Sequence, residues 1–184
     1  PPGLALDEAA IAAEMARRAP GQNALSTARK ESDMVEIQSG FFNGFTTGTP
    51  LCARIVNSDQ HSKDYSILAD KMRPGHADYA GHVRYQGFND YRGGGHFSGR
   101  LTAPLVFAGA VAKQALAQYG IVVGSHILQI NDIKEERFNP MGVSDKALAE
   151  LHAKKFAVMD DAVGAKMQEC ILQAKSELNS VGGV

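Results

Sequence analysis

The stretch "RGGGHFSGRLTAPLVFAGAVAK", Arg92 to Lys113, changes character half-way along. Its second half, Ala103 to Ala112, is apolar, too short for a membrane span, and ends at Lys113. Thr102 caps a helix that runs to about Tyr119, with Pro104 tolerated in the first turn and Gly120 ending it. The first half is glycine-rich. Glycines bring backbone N–H groups close to a ligand, and a helix N-terminus attracts anions. Arg100 adds a bidentate grip on phosphate or carboxylate, His96 and Ser98 supply hydrogen-bond partners, and Phe97 supplies a flat apolar face. The spacing is neither a dinucleotide fingerprint nor a P-loop. The plainer alternative is a glycine-rich turn before an ordinary capped helix.

Upstream lies "RPGHADY", Arg73 to Tyr79. Pro74 and Gly75 make a tight turn that presents Arg73 and His76 together. An imidazole titrates near neutrality and suits proton transfer, and Asp78 stands two residues on, where it could orient the ring. The alternative is a loop histidine bonded to backbone. His82 and His96 share no metal-ligand spacing, so no metal is expected. Arg17 and Arg18 precede Pro20, either as a solvated basic helix end or aimed at the same anion as Arg73 and Arg100.

The 184 residues suggest one domain, 1–184, and 44% hydrophobic content allows a sizeable core. With 19 basic and 20 acidic residues the net charge is −1, so neither nucleic acid nor an anionic membrane is an expected partner. Any bound anion must be held by local charge. Cys52 and Cys170 stand apart in apolar settings and are expected to be buried free thiols, as in a reducing cytoplasm.

Ahead of these motifs, a helix starts at Asp7 and Glu8, carries Ile11 and Met15 on one face, and stops at Ala19–Gly21. Met34–Ile37 and Thr49–Asn57 alternate as strands, and "FFNGFTTG" connects them as an antiparallel pair. From Ser58 to Gly99 there is little periodicity, although the aromatics argue against disorder. Ile121–Ile130 is expected as a strand, and a helix is expected from about Ser144. A second begins at Asp160 with Val163, Met167, Cys170, Ile171, Ala174 and Leu178 as its apolar stripe. The final "SVGGV" looks like the onset of another strand. The class is α+β.

"RRAPGQ", "TARKESDMVEIQSGFFNGFTTGTP", "RPGHADY" and "RGGGHFSGRLTAPLVFAGAVAK", in that order and spacing, resemble chorismate synthase. The last fits that family's glycine–serine–arginine–threonine block followed by Val106 and Gly109-Ala110. The likeness is strong from Pro1 to about Lys113 and weaker beyond.

The resemblance implies an anti-1,4-elimination of phosphate from 5-enolpyruvylshikimate 3-phosphate, giving chorismate. It implies reduced FMN, without net redox change. Under it, His76 stands near the reduced flavin; Arg18, Arg73 and Arg100 bind substrate; and His96, Phe97 and Ser98 contact FMN. It also implies a layered β-α-β sandwich with helices between antiparallel sheets, a homotetramer and a cytoplasmic location. Some members reduce flavin with NADPH, but no dinucleotide motif supports that here. One departure is Ala24, where many members carry arginine; either Arg29 or another group takes its place, or this loop binds less phosphate charge. The first residues resemble a point just after the family's opening glycine–glutamate–serine–histidine motif. The last resemble a point from which the family continues into a second half. The 184 residues alone are therefore expected to be catalytically silent, and the alternative reading is a ligand-binding or assembly core.

Overall fold

The computed structural model describes residues 1–21, 23–26, 32–57 and 62–184, and Arg29 lies outside them. Its contacts cluster into two compact units. The first comprises Pro1–Ala19 with Arg29–Val111, and the second Pro20–Ala28 with Ala112–Val184.

In the first unit, α1 spans Glu8–Arg18, and Asp7 caps it by accepting a 3.0 Å bond from the Ala10 amide. Ile11 and Met15 bury its inner face beside Leu4 and Leu6 in the core. Such side chains contribute about 1.5–3 kcal/mol each when fully buried. β1 (Val35–Ser39) pairs antiparallel with β4 (Cys52–Ile55), Val35 opposite Ile55 and Glu36 opposite Arg54. Val35, Ile37, Ala53 and Ile55 turn inward. Glu36 and Arg54 face solvent and pair across the strands at 2.6 Å. Cys52 shares that outer face, so the expectation of buried thiols fails: Cys52 is exposed and Cys170 half-buried, both free. The period of two that half-buries Ala53 and Ile55 turns Cys52 outward.

The connection between these strands is itself a hairpin. β2 (Phe41–Phe42) pairs with β3 (Phe45–Thr46). Asn43 and Gly44 turn it with φ of 49° and 84°, both left-handed, as a type I′ turn requires. The segment without periodicity folds as short helical pieces: a 3₁₀ segment at Ser62–Ala69, α2 at Asp78–Arg84, and further 3₁₀ turns at Arg92–Phe97 and Gly99–Leu101.

α3 covers Thr102–Ala117 and runs from the first unit into the second. Its entry differs from expectation. Thr102 is already helical, with Oγ1 donating to the Gly99 carbonyl at 2.8 Å, and the capping side chain is Ser98, four residues earlier. Ser98 Oγ accepts from the Arg100 amide at 3.2 Å, so a 3₁₀ turn feeds the helix. Ala103, Phe107 and Ala110 face the core, and Gly120, with φ 69°, follows the last turn.

In the second unit, β5 (Gln129–Ile130) and β6 (Ile133–Lys134) form a short antiparallel pair. The expected strand at 121–130 is thus realised only in its last two residues. Before them the chain bonds to loop and terminal backbone, Ile127 N to Ala157 O at 2.7 Å and Leu128 N to Val184 O at 2.8 Å. An apolar extended segment becomes a strand only where a neighbour's amides lie opposite. Ile130 also bridges Gly183, in line with the strand onset expected in "SVGGV".

Helix α4 (Asp145–Ala153) is capped by Ser144, and α5 (Asp161–Ser176) by Asp160. Met167 and Ala174 are buried as the stripe requires, while Leu178 lies past the helix end and is 98% exposed. The fold is α+β, and no described helix is long and apolar enough to cross a membrane.

Candidate functional site

The first unit contains a cavity of about 390 Å³ between β4 and the start of α3. Ala53, Ile55, Leu101 and Ala103 give it apolar walls, and Arg92, Arg100, Ser98 and Asp33 give it polar ones. Two guanidinium groups against one carboxylate favour an anionic occupant. Apolar walls strengthen that preference by excluding water.

Arg92 is exposed and paired with Asp90, Nε to Oδ1 at 2.8 Å and Nη2 to Oδ2 at 2.7 Å. The side-chain bonds from Arg92 hold the Asp90 carboxyl down at about 2. Arg18, at the end of α1, does not line this cavity. It donates to Asp33, which does, and its Nε donates to Thr102 Oγ1 at 3.1 Å. Arg18 thereby fixes one cavity wall and the entry to α3. Arg17 is the solvated partner of Glu14 at 2.9 Å.

A second cluster is built on "RPGHAD". Asp78, buried in the first turn of α2, accepts from Arg73 Nε at 2.8 Å, Arg73 Nη2 at 2.9 Å and the Arg73 amide at 3.0 Å. His76 Nδ1 lies 2.7 Å from Asp78 Oδ1. The side-chain bond from Arg73 is the main reason that Asp78 is held far below the ordinary carboxylate range. The same bond raises Arg73.

A smaller cavity of about 130 Å³ is lined by Asp78, His82, Asp90, Tyr91 and Phe97. Asp90 and Tyr91 border it while Arg92 borders the larger one, and Phe97 and Ser98 divide in the same way. These two short runs form a wall common to both cavities. Phe97 packs over Gly81, where an added Cβ would come within 2.6 Å of its ring.

The structure therefore brings Ser98 and Arg100 to one cavity, with Arg18 behind it, and sets Arg73 and His76 on one carboxylate. His96 is exposed and borders neither cavity. Asp33 and Arg92 are wall residues that the sequence reading did not single out. Arg92 had a signal, as the cation directly before a triple glycine. Asp33 had none, because its role depends on α1 and α3 arriving from distant parts of the chain. At Ala24, the carbonyl accepts from Lys175 Nζ at 2.6 Å.

The profile described as chorismate synthase matches residues 1–184. Proteins named chorismate synthase are similar along this whole chain: 45% identical in Cytophaga hutchinsonii, 46% in Aliarcobacter butzleri and 42% in Methanothermobacter thermautotrophicus. The chain spans about half the length of these relatives, 50%, 49% and 48% respectively. A solved structure described as a crystal structure of chorismate synthase superposes with a TM-score of 0.70 at 24% identity. It is matched over 100% of this chain and 49% of that one, and shows the fold. The chain belongs to the chorismate synthase family.

Proposed function

We propose that this chain supplies part of the active site for the family's elimination, in which 5-enolpyruvylshikimate 3-phosphate loses phosphate and a ring proton to give chorismate. The observation that carries this reading is the larger cavity, where Arg92, Arg100 and Ser98 converge on apolar walls beside the capped entry to α3. The substrate's phosphate and carboxylates need such cations, and the proposal gives that work to Arg100, with Arg18 holding the wall through Asp33. Ser98, on the larger cavity, and Phe97, on the wall it shares with the smaller one, would hold reduced FMN, Phe97 offering a flat apolar face and Ser98 a hydrogen-bonding group. When bound, the flavin lends electron density to the developing allylic system. His76 is assigned the proton transfer, and Arg73 contributes positive charge beside it.

In this reading His96 meets FMN only at the exposed rim, and Arg73 acts with a guanidinium already engaged by Asp78. Assembly as a homotetramer, a cytoplasmic location and NADPH as the source of reducing equivalents belong to the same proposal, carried over from the family resemblance. Calorimetric titration with FMN, with and without 5-enolpyruvylshikimate 3-phosphate, tests it. Tighter FMN binding with substrate present is expected, because stacked faces desolvate each other. Equal affinity in both titrations would count against a shared pocket.

A further inference from the structure

We infer that Asp33 is a specificity-determining residue of the larger cavity: its carboxylate accepts a hydrogen bond from a hydroxyl group of the bound anion, and so selects a hydroxylated ligand over a plain one. This deepens the proposed function and rests on it, since the hydroxyl concerned is the unsubstituted ring hydroxyl of 5-enolpyruvylshikimate 3-phosphate.

Among the described residues that line this cavity, Asp33 is the one acid, set against the cations of Arg92 and Arg100. A carboxylate repels an anionic ligand, so holding the anion is not its work. Its side chain is 3% exposed, and burying a carboxylate is costly unless its oxygens are bonded. Oδ2 accepts from Arg18 Nη1. Oδ1 accepts from none of the described residues, although a carboxylate offers about four acceptor sites. Among the described residues, no fully buried side-chain polar atom lacks a partner. Oδ1 is therefore not sealed inside the protein and opens on a cavity.

Asp33 borders two cavities. One is a groove of about 240 Å³ between α1 and β1, walled by Ile11, Met15, Val35 and Ile37 with Glu8 as a second acid. That groove carries no cation among its described lining residues and suits no anion. The other is the larger cavity, where the guanidinium groups stand. Arg18 fixes the acceptor there: Nη1 holds Oδ2, while Nε donates to Thr102 Oγ1 at 3.1 Å. An acceptor already held in place loses little freedom when a ligand arrives. Carboxylate and dianionic phosphate oxygens have no hydrogen to offer it and turn to the guanidinium side. A hydroxyl donates to it in a charge-assisted bond. The two signs on one wall thus select a ligand that carries both groups, and set which way round it lies.

Calorimetry on the 184-residue chain tests this with three probes: 5-enolpyruvylshikimate 3-phosphate, its analogue with hydrogen in place of the free ring hydroxyl, and inorganic phosphate. The wild-type chain is expected to bind the deoxy analogue at least about tenfold more weakly than the substrate. In Asp33→Asn, substrate affinity is expected to fall by a similar factor and the preference over the deoxy analogue to shrink below about threefold. Inorganic phosphate should bind that variant about threefold more tightly, because a negative charge has left the wall. Equal wild-type affinity for substrate and deoxy analogue would overturn the inference and leave the proposed function standing. So would a variant that keeps the wild-type preference, or one weakened for substrate and phosphate alike, since the carboxylate would then only hold the shape of the wall. If the single variant does not fold, Arg18→Gln/Asp33→Asn takes its place, because removing both charges leaves neither unpaired. The hydroxyl preference is expected to be lost there too, and its persistence would overturn the inference. A wild-type chain that binds neither organic ligand, with no response in the FMN titration, would remove the proposed function and this inference with it.

Discussion

Arg18 and Asp33, fifteen residues apart, meet in an ion pair whose carboxylate is 3% exposed and whose guanidinium is 18% exposed. Asp33 sits at φ 48°, in the left-handed region that few non-glycine residues occupy. Asparagine tolerates that backbone, so Asp33→Asn isolates the charge from the conformation. Removing one partner of a buried pair costs about 3–5 kcal/mol, and the partial exposure of Arg18 places this pair at the low end. A drop of about 3 kcal/mol in urea-unfolding free energy is expected. An unchanged midpoint would show that the pair contributes nothing net.

Two helical glycines are expected to respond differently to the same substitution. Gly109, in α3, has nothing within 4 Å of an added Cβ, so Gly109→Ala should gain about 1 kcal/mol of helix propensity. At Gly164, in α5, the new Cβ would lie 2.5 Å from Val158 Cγ2, and Val158 is 2% exposed and stiff at χ1. Overpacking there costs about 1–3 kcal/mol, which equals or exceeds the propensity gain. Thermal unfolding of both variants decides it. A Gly164→Ala protein as stable as Gly109→Ala would mean that Val158 can move aside.

Acid should weaken the first unit through Asp78. Its carboxyl is lowered in the folded state by the Arg73 side-chain bond. A lowered folded value means stability that is complete above the unfolded value of about 3.9 and lost as pH falls toward the folded one. Unfolding free energy should therefore fall steadily below about pH 4. Asp78→Asn, less stable at neutral pH, should show a shallower decline. Parallel curves for the two proteins would exclude Asp78 as a source of the acid sensitivity.

Arg100→Ala is expected to weaken substrate binding while leaving the melting temperature nearly unchanged. Arg100 borders the cavity at the edge of a 3₁₀ turn and lies outside the buried core. A lost charge-assisted hydrogen bond is worth about 1.5–3 kcal/mol, roughly ten- to a hundredfold in affinity. Collapse of the melting temperature would make Arg100 a structural residue.

Local chemistry was sufficient wherever a few neighbouring residues decide the outcome. Asp7, Ser144 and Asp160 announce helix starts because their side chains reach amides two or three residues on. Gly120 announces a stop because it accepts a left-handed backbone. The "RPGHAD" turn brought Arg73, His76 and Asp78 together within six residues, so the neighbourhood of that cluster was legible before any tertiary contact was known. The ordered family motifs were equally legible, and the mixture of short strands and helices read along the chain agreed with them on an α+β fold.

Tertiary structure decided whatever depends on partners distant in the chain. Apolar alternation at 121–130 could not reveal that only Gln129 and Ile130 find a strand partner opposite. The apolar setting of Cys52 could not say which face of β4 turns toward solvent. Asp33 gained its place in a cavity wall only when α1 delivered Arg18 to it and Thr102 steadied that guanidinium, across 84 residues of sequence. Capping and turn preferences act over three or four residues and are written locally. Burial, strand pairing and ion-pair closure depend on which distant segments arrive, and that is settled by packing the whole chain at once.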